Sequence, residues 1–391
     1  MLSCRLWILK VINNSATGIY IHVPFCLQKC SYCDFYSLPL QNGDSLEKYT
    51  KNLLREMEQQ AANWENRQFS TVYMGGGTPS LLSPEQINII LTDLEHHLHI
   101  LPQAEISLEA NPATLNSDRL QELKSAGINR ISLGVQSFRD EELKILGRIH
   151  GAQAAMEAVD DIIRAGFENF NLDLIYGIPG QTHDDWIYNL KMAVSCGPRH
   201  ISTYLLQLDP CVALAQQIKA GKYKALSEDQ EADMYYDALD CLINEGFHHY
   251  EISNFARPGY ECKHNLIYWQ AGEYLGLGPG AVSFRDGQRW MNKEIKSCPE
   301  ITSQTDTVAV ETLEIMNDRD RFVDAVVLGL RLTEGISRQQ FMDRFGIDFY
   351  QEYHSIIEKF SREGILLADQ DRICLSHRGY FLSNQLLAEL L

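Results

Sequence analysis

Short apolar runs rich in β-branched residues alternate with longer amphipathic stretches along the first two hundred residues. Six of these runs predict strands, over residues 18–25, 70–74, 105–109, 130–135, 170–175 and 201–206. Five stretches between them predict helices, over residues 45–64, 83–98, 117–126, 153–165 and 184–194. Strands that alternate with helices pair in parallel through right-handed crossovers. The pattern therefore predicts an α/β fold, and six such units fit a partial (β/α)6 barrel of the TIM type at least as well as a doubly wound sheet.

The pattern changes beyond residue 250. Glycines and prolines between 258 and 280 predict a loop-rich stretch. Three helices are expected after Thr307, over residues 321–332, 337–345 and 349–363. Two strand-like pieces, 364–368 and 372–375, and a last helix to residue 391 complete a pattern typical of a winged-helix shape. We therefore predict four parts: an N-terminal lead over 1–17, a core over 18–250, a connecting segment over 251–306 and a smaller, mostly helical C-terminal domain over 307–391.

The charge balance restricts the class of partner. The chain of 391 residues carries 52 acidic and 34 basic side chains, a net charge of −18. Because phosphate binding relies on basic patches, this balance argues against nucleic acid and anionic lipid surfaces as partners. The C-terminal domain is accordingly predicted to serve docking or packing and not DNA binding.

The cellular location is predicted from cysteine usage and from apolar runs. Ten cysteines without the dense pairing of a secreted scaffold predict a reducing, cytoplasmic location. No apolar run is long enough to span a bilayer, and residues 6–12 lack the small-residue cleavage site of a signal peptide.

Cys26, Cys30 and Cys33 form a CxxxCxxC motif. A structural zinc site closes with four protein ligands, and a cubane 4Fe–4S cluster usually takes four thiolates, one per iron. Three thiolates leave one iron open to a small molecule. The alternatives are a trio of inert buried cysteines, or a redox pair and a bystander. The spacing resembles the signature of the radical S-adenosylmethionine (SAM) superfamily, in which SAM chelates the open iron and one electron cleaves its sulfonium to a 5′-deoxyadenosyl radical.

Polar or glycine-rich residues follow several predicted strands. The segment MGGGTPS at 74–80 follows the second strand, and its glycines let backbone amides approach a ligand closely. Glu109, Gln136 and Asp173 stand at later strand ends. Barrel active sites are built at these carboxyl ends, although each residue alone could equally cap a turn.

From Tyr20 to about Trp269 the chain resembles the radical SAM branch that contains the oxygen-independent coproporphyrinogen III oxidases and the haem chaperone HemW family. The resemblance implies that Cys26, Cys30 and Cys33 ligate a 4Fe–4S cluster. It also implies a set of SAM-binding positions: Tyr20, Tyr32, Gly76, Gly77, Thr78, Glu109, Gln136, Arg148 and Asp173.

Two motifs separate the haem-chaperone group from the oxidases. The segment HNLIYW at 264–269 matches the HNxxYW motif of the chaperones, as does YEISNFA at 250–256 just before it. Phe35 stands where the oxidase pattern CxxxCxxCxC has a further cysteine, and 25 residues precede Cys26, fewer than in the oxidases. One position departs from the chaperone pattern: Val282 stands where many relatives have a histidine in the following glycine-rich loop.

The resemblance implies that haem binds at His264, Asn265, Tyr268 and Trp269. A neutral imidazole is a common axial ligand of haem iron, and flat aromatic faces suit a porphyrin. The alternative for His264 is a core histidine packed among aromatic residues. His22 could reach a porphyrin propionate or have a structural role.

We therefore predict a haem chaperone that binds haem and hands it to an acceptor apoprotein, with an electron donor for the cluster and a homodimer as further partners. The alternative is an enzyme, a coproporphyrinogen III oxidase-type radical SAM decarboxylase of porphyrin metabolism. There the radical would abstract a propionate β-hydrogen, and loss of carbon dioxide would leave a vinyl group. A DNA-binding regulator that uses the C-terminal helices is disfavoured by the net charge of −18.

Overall fold

The computed structural model describes residues 17–40, 43–295 and 309–390. Its strands are β1 (Thr17–Val23), β2 (Phe25–Cys26), β3 (Leu38–Pro39), β4 (Gln68–Gly76), β5 (His99–Ala110), β6 (Arg130–Gln136), β7 (Phe170–Tyr176), β8 (His200–Leu205), β9 (His248–Glu251), β10 (Asn254–Ala256), β11 (Tyr274–Leu277), β12 (Val282–Arg285), β13 (Gln288–Asn292), β14 (Val310–Ile315), β15 (Ile336–Ser337), β16 (Leu366–Ala368) and β17 (Arg372–Leu375). Its helices are α1 (Gly43–Trp64), α2 (Pro84–His97), α3 (Ser117–Ser125), α4 (Asp140–Leu146), α5 (Ala152–Arg164), α6 (His183–Ser195), α7 (Ala213–Lys219), α8 (Glu228–Asn244), α9 (Lys263–Trp269), α10 (Asp318–Gly329), α11 (Arg338–Phe345), α12 (Phe349–Glu352), α13 (His354–Arg362) and α14 (His377–Leu390).

One large sheet organises the molecule. It has twelve strands in the described chain, in the order β14-β13-β12-β11-β1-β4-β5-β6-β7-β8-β10-β9. The run from β11 to β8 is parallel, and the strands at both ends are antiparallel. Because β14 and β9 end the sheet without pairing to each other, the barrel is partial. The six predicted strands are all present and parallel, so this part of the prediction is confirmed.

The central strands are buried on both faces. In β1, residues such as Ile19, Ile21 and Val23 point to one side and are fully buried, and β6 and β7 are almost continuously buried. Strands that are covered on both sides have continuous apolar sequences, which is why these short β-branched segments could be recognised as strands. Helix α2 shows how the covering helices begin: Ser83 caps it, Gln86 completes a capping box, and Pro84 occupies the first turn.

The glycine-rich stretch beyond residue 258 is not the loop that we predicted. It contains helix α9, and β11 pairs in parallel with β1, extending the sheet. Packing requires glycine at position 276, because a Cβ built there would lie 2.2 Å from the carbonyl oxygen of Val282 on β12. Glycine here permits close strand contact and does not form a turn, so the composition alone misled the prediction.

The C-terminal part is mostly helical, with a small sheet in the order β15-β17-β16. The helix predicted over 349–363 is divided into α12 and α13 at Tyr353, whose φ of −112° and ψ of 24° are not helical. This part packs on the barrel through Arg344, whose guanidinium donates to the carbonyls of Gln270 and Ala271 at 2.7 and 2.6 Å.

Some predictions lie outside the described residues or stay predictions. Cys4, Cys298 and residues 1–16 of the predicted lead lie outside the described residues, as does the boundary at 306. The division at residue 250 stays a prediction; strands on both sides of it belong to the large sheet. In the part of the chain that the structure describes, no helix combines the length and apolarity needed to cross a membrane.

Candidate functional site

The cysteine motif lies in a loop that leaves the carboxyl end of β1. Strands β2 and β3 pair in parallel and close the loop at its base. Ser31 anchors its middle: its amide donates to the carbonyl of Leu146 at 3.0 Å, its hydroxyl donates to Ile145 O at 2.7 Å, and its carbonyl accepts from Leu214 N at 2.8 Å. The loop is therefore held on two sides before any ligand binds.

The three thiols are free and half-buried. The Thr78 hydroxyl donates to Cys26 Sγ at 3.7 Å, and Arg148 Nη1 donates to Cys30 Sγ at 3.5 Å. Burial raises the pKa of Cys26 and Cys33, so unligated thiols there are protonated at neutral pH. Coordination to a metal deprotonates a thiol outright, and nearby hydrogen-bond donors stabilise the bound thiolate.

This donor set fits an iron–sulfur cluster better than a single metal ion. Thiolates are soft ligands that select iron–sulfur clusters, copper(I) or zinc. Among the described residues, no three His, Cys, Asp or Glu side chains converge as the ligands of one ion would. A cubane takes one thiolate per iron, so its ligands need not converge.

Gly76 and Gly77 form a tight passage beside the cysteine loop. Gly76 has a φ of +108°, and a Cβ built on it would lie 2.5 Å from Cε1 of His22. A Cβ on Gly77 would lie 2.6 Å from the carbonyl oxygen of Phe25. A side chain at either position would meet the His22 ring or the backbone at Phe25, so this passage admits only glycine.

His22 is fixed under this passage. Its Nδ1 lies 3.1 Å from the Tyr20 hydroxyl and its Nε2 lies 3.0 Å from the Tyr36 carbonyl. Burial lowers the pKa of its imidazole, which stays neutral. With both nitrogens engaged, His22 has the structural role, and the propionate contact is not supported.

Glu109, at the end of β5, supports the glycine passage. Its carboxylate accepts from the Tyr73 hydroxyl at 2.9 Å and from the Gly76 amide at 3.1 Å. Burial, with a smaller contribution from the charge of Asp173, raises the pKa of Glu109 to about 7. The group can therefore exchange a proton near neutral pH.

Gln136 and Arg148 lie at and beyond the end of β6. Gln136 has a φ of 68°, in the left-handed region that L-residues other than glycine rarely adopt. The Arg148 guanidinium donates to the Gly134 carbonyl at 2.8 Å and also contacts Tyr32. Since its other amino group reaches Cys30, Arg148 connects the end of β6 to the cysteine loop.

Asp173 stands inside the barrel on β7. Its carboxylate accepts from Asn171 Nδ2 at 2.8 Å and from Ser132 Oγ at 3.1 Å. Burial raises its pKa, and the hydrogen bonds from Asn171, Ser202 and Ser132 oppose that shift. Most of the predicted SAM-binding residues thus lie in the middle of β1 and β7 or at the carboxyl ends of β4, β5 and β6, whereas Tyr32 lies in the cysteine loop and Arg148 follows α4.

The predicted haem-binding residues lie at the other end of the strands. His264 is fully buried on α9, and its Nδ1 lies 2.7 Å from the hydroxyl of Thr71, near the start of β4. Its Nε2 lies 2.9 Å from the hydroxyl of Tyr268, in the same helix. A Cβ on Gly18, at the start of β1, would lie 2.9 Å from Cε1 of His264. The structure therefore does not bring His264 together with the cysteine loop.

The surroundings of His264 are those of a core histidine. Its ring stacks on Tyr73 with centroids 5.2 Å apart and an angle of 23°. Burial, helped by the charge of Arg130, lowers the pKa of His264 to about 3, so the imidazole is neutral. Asn265 is half-buried. Trp269 packs under the guanidinium of Arg331 at 4.5 Å, and its indole N–H has no hydrogen-bond partner among the described residues.

Several residues of the site carried no local sequence signal. Tyr73 both stacks on His264 and donates to Glu109, and so connects the two ends of the barrel. His150 is buried two positions after Arg148; its Nε2 lies 3.2 Å from the Val135 carbonyl, and its Nδ1 meets no partner in the described chain. Asn171 orients Asp173 from the same strand. Of these relationships, the sequence could have suggested that between Asn171 and Asp173, because residues two positions apart on a strand point to the same face of the sheet.

Comparison with known families extends these observations. The radical SAM superfamily profile matches residues 20–193, and the HemN C-terminal domain profile matches residues 316–382. The chain is 33% identical over 383 residues to a heme chaperone HemW of Lactococcus lactis, covering 97% of both chains. It is 36% identical over 404 residues to one of Synechocystis, covering 96% of both, and 40% identical over 276 residues to one of Escherichia coli, covering 69% of this chain and 71% of that one.

A solved structure shares the fold. The coproporphyrinogen III oxidase HemN of Escherichia coli, described as a radical SAM enzyme, superposes with a TM-score of 0.82 at 22% identity, covering 99% of this chain and 93% of that one. The partial barrel of the radical SAM type and the mostly helical C-terminal part, both predicted from the sequence, are thus confirmed.

Proposed function

The chain belongs to the heme chaperone HemW family within the radical SAM superfamily, and we propose that it binds haem and transfers it to an acceptor protein. The proposal includes a 4Fe–4S cluster held by Cys26, Cys30 and Cys33 and a SAM site beside it. The observation that carries it is the loop of three free thiols next to the tight glycine passage at Gly76 and Gly77.

The residues around the thiols suit a cluster. Thr78 and Arg148 supply the hydrogen bonds to sulfur by which proteins tune clusters, and Ser31 holds the loop in place. Bound there, a cluster with three thiolate ligands would offer an open iron and an electron to SAM. The cysteines are only half-buried, which leaves the loop accessible to an electron donor.

We assign the SAM-binding role to the strand-end residues. The Gly76 amide donates to Glu109 and the Gly77 amide donates to the Val23 carbonyl, so we propose that carbonyl oxygens of this segment, and not its amides, contact the amino group of SAM. Gln136 and Asp173 offer polar groups for hydroxyls or for an amine. Arg148 contacts Cys30 Sγ, where its charge would favour the ionised form of the thiolate.

We assign the haem to the HNLIYW segment, with Nε2 of His264 as the proposed iron ligand. That nitrogen contacts the hydroxyl of Tyr268, so ligation requires this hydroxyl to turn away. Tyr268 also packs edge-on to Tyr274 with ring centroids 4.7 Å apart, which supplies aromatic surface for a porphyrin. The motif supports this assignment; the burial of His264 opposes it, which makes it the part of the proposal to test first.

The remaining partners belong to the same proposal: a haem-accepting apoprotein, an electron donor and a second copy of the chain. We also propose a cytoplasmic location. All eight cysteines in the described residues are free thiols, as is typical of a reducing compartment.

An anaerobic haem titration followed in the Soret region tests the chaperone function. Saturable, stoichiometric binding by the wild-type chain, followed by transfer to a haem-free acceptor, is the expected result. A parallel incubation with coproporphyrinogen III, SAM and a reductant tests the decarboxylase alternative. Vinyl products at useful turnover, without saturable haem binding, would overturn the chaperone proposal.

A second experiment tests the cluster. Replacing Cys26, Cys30 or Cys33 by serine should abolish the oxygen-labile visible absorbance of the reconstituted protein, whereas Cys211→Ser, at an exposed cysteine, should leave it unchanged. Undiminished absorbance in the first three variants would contradict the ligand assignment.

A further inference from the structure

A chain of buried hydrogen bonds leads from Asp173 across the barrel to the start of α9. Asn171 Nδ2 donates to Asp173 Oδ1 at 2.8 Å, and Asn171 Oδ1 lies 2.7 Å from Nδ1 of His200. Nε2 of His200 lies 2.8 Å from the hydroxyl of Tyr250, which accepts from the amide of Cys262 at 3.3 Å. Each of these residues is at most 3% exposed, apart from the half-buried Asp173. Water therefore does not replace these contacts.

The contacts determine which way the Asn171 amide faces. Its two N–H groups are both used, one on Asp173 and one on Ser132 Oγ at 2.7 Å. Ser132 in turn donates to the second carboxylate oxygen of Asp173 at 3.1 Å. If the amide were reversed, its carbonyl oxygen would face the carboxylate, and two acceptors would meet without a proton between them. Asn171 must therefore present its carbonyl oxygen to His200.

That orientation requires His200 to donate from Nδ1. A neutral imidazole that donates at Nδ1 accepts at Nε2, so the Tyr250 hydroxyl donates to Nε2 and is free to accept from Cys262 N. Burial lowers the pKa of His200 well below its usual range, and the charge of Arg130 adds to this, so the ring is neutral. Every donor in the chain then has an acceptor, and the polarity is consistent from Cys262 to Asp173.

We propose that His200 is a positioning residue for Asp173: it fixes the Asn171 amide, which fixes the carboxylate that faces the SAM site. This inference rests on the proposed function, in which Asp173 contacts SAM. It assigns a role to a residue that touches neither the cysteine loop nor the glycine passage. The Tyr250 hydroxyl contacts Nε2 and holds the His200 ring from its other side, so the segment 250–262 supports the same carboxylate.

The test is a double-mutant cycle on SAM affinity, measured by anaerobic equilibrium binding to the reconstituted full chain. His200→Leu removes the shorter of two hydrogen bonds to Asn171 Oδ1, since Ser202 Oγ also donates to that oxygen at 3.2 Å, and should weaken SAM binding about fivefold. His200→Asn places an amide N–H near the position of Nδ1 and should restore most of the affinity. In an Asp173→Ala background, His200→Leu should change the affinity little, because the carboxylate that it orients is gone.

Matched variants separate positioning from general loss of stability. His249→Leu also removes a buried histidine, but that residue contacts the Ile252 carbonyl and not the chain to Asp173. It should lower the melting temperature without changing SAM affinity. Tyr250→Phe deletes a single hydroxyl and serves if His200→Leu does not fold; it should weaken SAM binding in wild type and not in Asp173→Ala.

The possible outcomes distinguish the two proposals. If the wild-type chain binds SAM and the effects of His200→Leu and Asp173→Ala multiply independently, the positioning role is overturned while the SAM site stands. The same conclusion follows if His200→Leu lowers only the melting temperature. If the wild-type chain binds no SAM, the proposed SAM site fails, and the positioning role fails with it.

Discussion

Nε2 of His264 lies 2.9 Å from the hydroxyl of Tyr268, one helical turn further along α9. Nδ1 of the same ring lies 2.7 Å from the hydroxyl of Thr71. A neutral imidazole has one donor and one acceptor nitrogen, so these two contacts satisfy it completely. An iron that binds Nε2 must therefore compete with the Tyr268 hydroxyl.

This competition gives the haem proposal a direct test. Tyr268→Phe removes the competing hydroxyl and should tighten haem binding about fivefold, because a typical net hydrogen bond contributes about 1 kcal/mol. His264→Gln removes the imidazole and should abolish saturable binding. Anaerobic titration in the Soret region measures both.

Tyr274→Phe is the matched control, since Tyr274 packs edge-on to Tyr268 while its own hydroxyl contacts Arg289. It should leave haem affinity unchanged. Weaker binding in Tyr268→Phe, or unchanged binding in His264→Gln, would place the haem elsewhere and leave these residues as barrel core.

A second prediction concerns the stability and the SAM binding of a variant at Gly76. Gly76→Ala combines an unfavourable backbone with a contact, because φ is +108° and the new Cβ would lie 2.5 Å from the His22 ring. We expect a loss of about 2–3 kcal/mol in the free energy of unfolding, together with loss of SAM binding. Denaturant titration and anaerobic SAM binding measure the two effects.

Gly259→Ala separates strain from contact. Its φ is +88°, but no atom of the described residues lies within 4 Å of the added Cβ. It should cost about 1 kcal/mol and leave SAM affinity intact. Equal losses in the two variants would mean that His22 moves aside freely and that the passage is not tight.

A third prediction concerns Gln136, where the substitution should raise the free energy of unfolding. Its φ of 68° is unfavourable for a side chain with a Cβ, by about 1–2 kcal/mol. Gln136→Gly should therefore raise the free energy of unfolding, by about 1 kcal/mol after loss of side-chain packing, while SAM affinity falls. Thermal unfolding and SAM binding on the same preparation give the two readings.

Ala271→Gly provides the comparison, because Ala271 has a φ of 48° and lies outside the proposed SAM site. A gain in stability without a change in SAM affinity is expected there. Should Gln136→Gly keep full affinity, the strained backbone at this position would have no binding role.

The sequence predicted the parts of the fold that depend on local pattern. Strands such as β6 and β7 are almost continuously buried, so their apolar runs were visible without any partner. Helix α2 was recognisable from Ser83 and the periodic apolar residues behind it. The cysteine motif was equally local, since all three thiols lie in one loop.

The remaining features depend on contacts between distant residues. β11 has only four residues and owes its place to pairing with β1, at the far end of the described chain. The contacts of the His264 ring include Thr71, 193 positions away, and the position of the His200 ring depends on Tyr250, 50 positions away. No local pattern contains such pairs, so the motif around His264 could not show that both of its ring nitrogens contact hydroxyl groups in the folded chain.

The stability of the chain should also depend on His249. The ring is buried, stacks on Phe255 with centroids 4.6 Å apart, and contacts the Ile252 carbonyl at 3.2 Å. Burial is the main cause that lowers the pKa of His249 from 6.5 to about 4, and His377 and His248 lower it further. The folded state therefore binds the proton less readily than the unfolded state does.

The sign of the pH dependence follows from this shift. The contribution of His249 to stability is fully present above about pH 6.5 and is lost as the pH falls toward 4, by up to about 3 kcal/mol. In His249→Gln this contribution is absent, so the stability difference between wild type and variant should be largest at about pH 7.5 and shrink as the pH falls.

Glu251, a buried neighbour whose pKa is raised to about 7, titrates in both proteins and cancels in the difference. Phe255→Leu keeps the titrating group but removes part of its burial, so its cost should show a weaker pH dependence of the same sign. A pH-independent difference for His249→Gln would show that folding does not lower the pKa of His249.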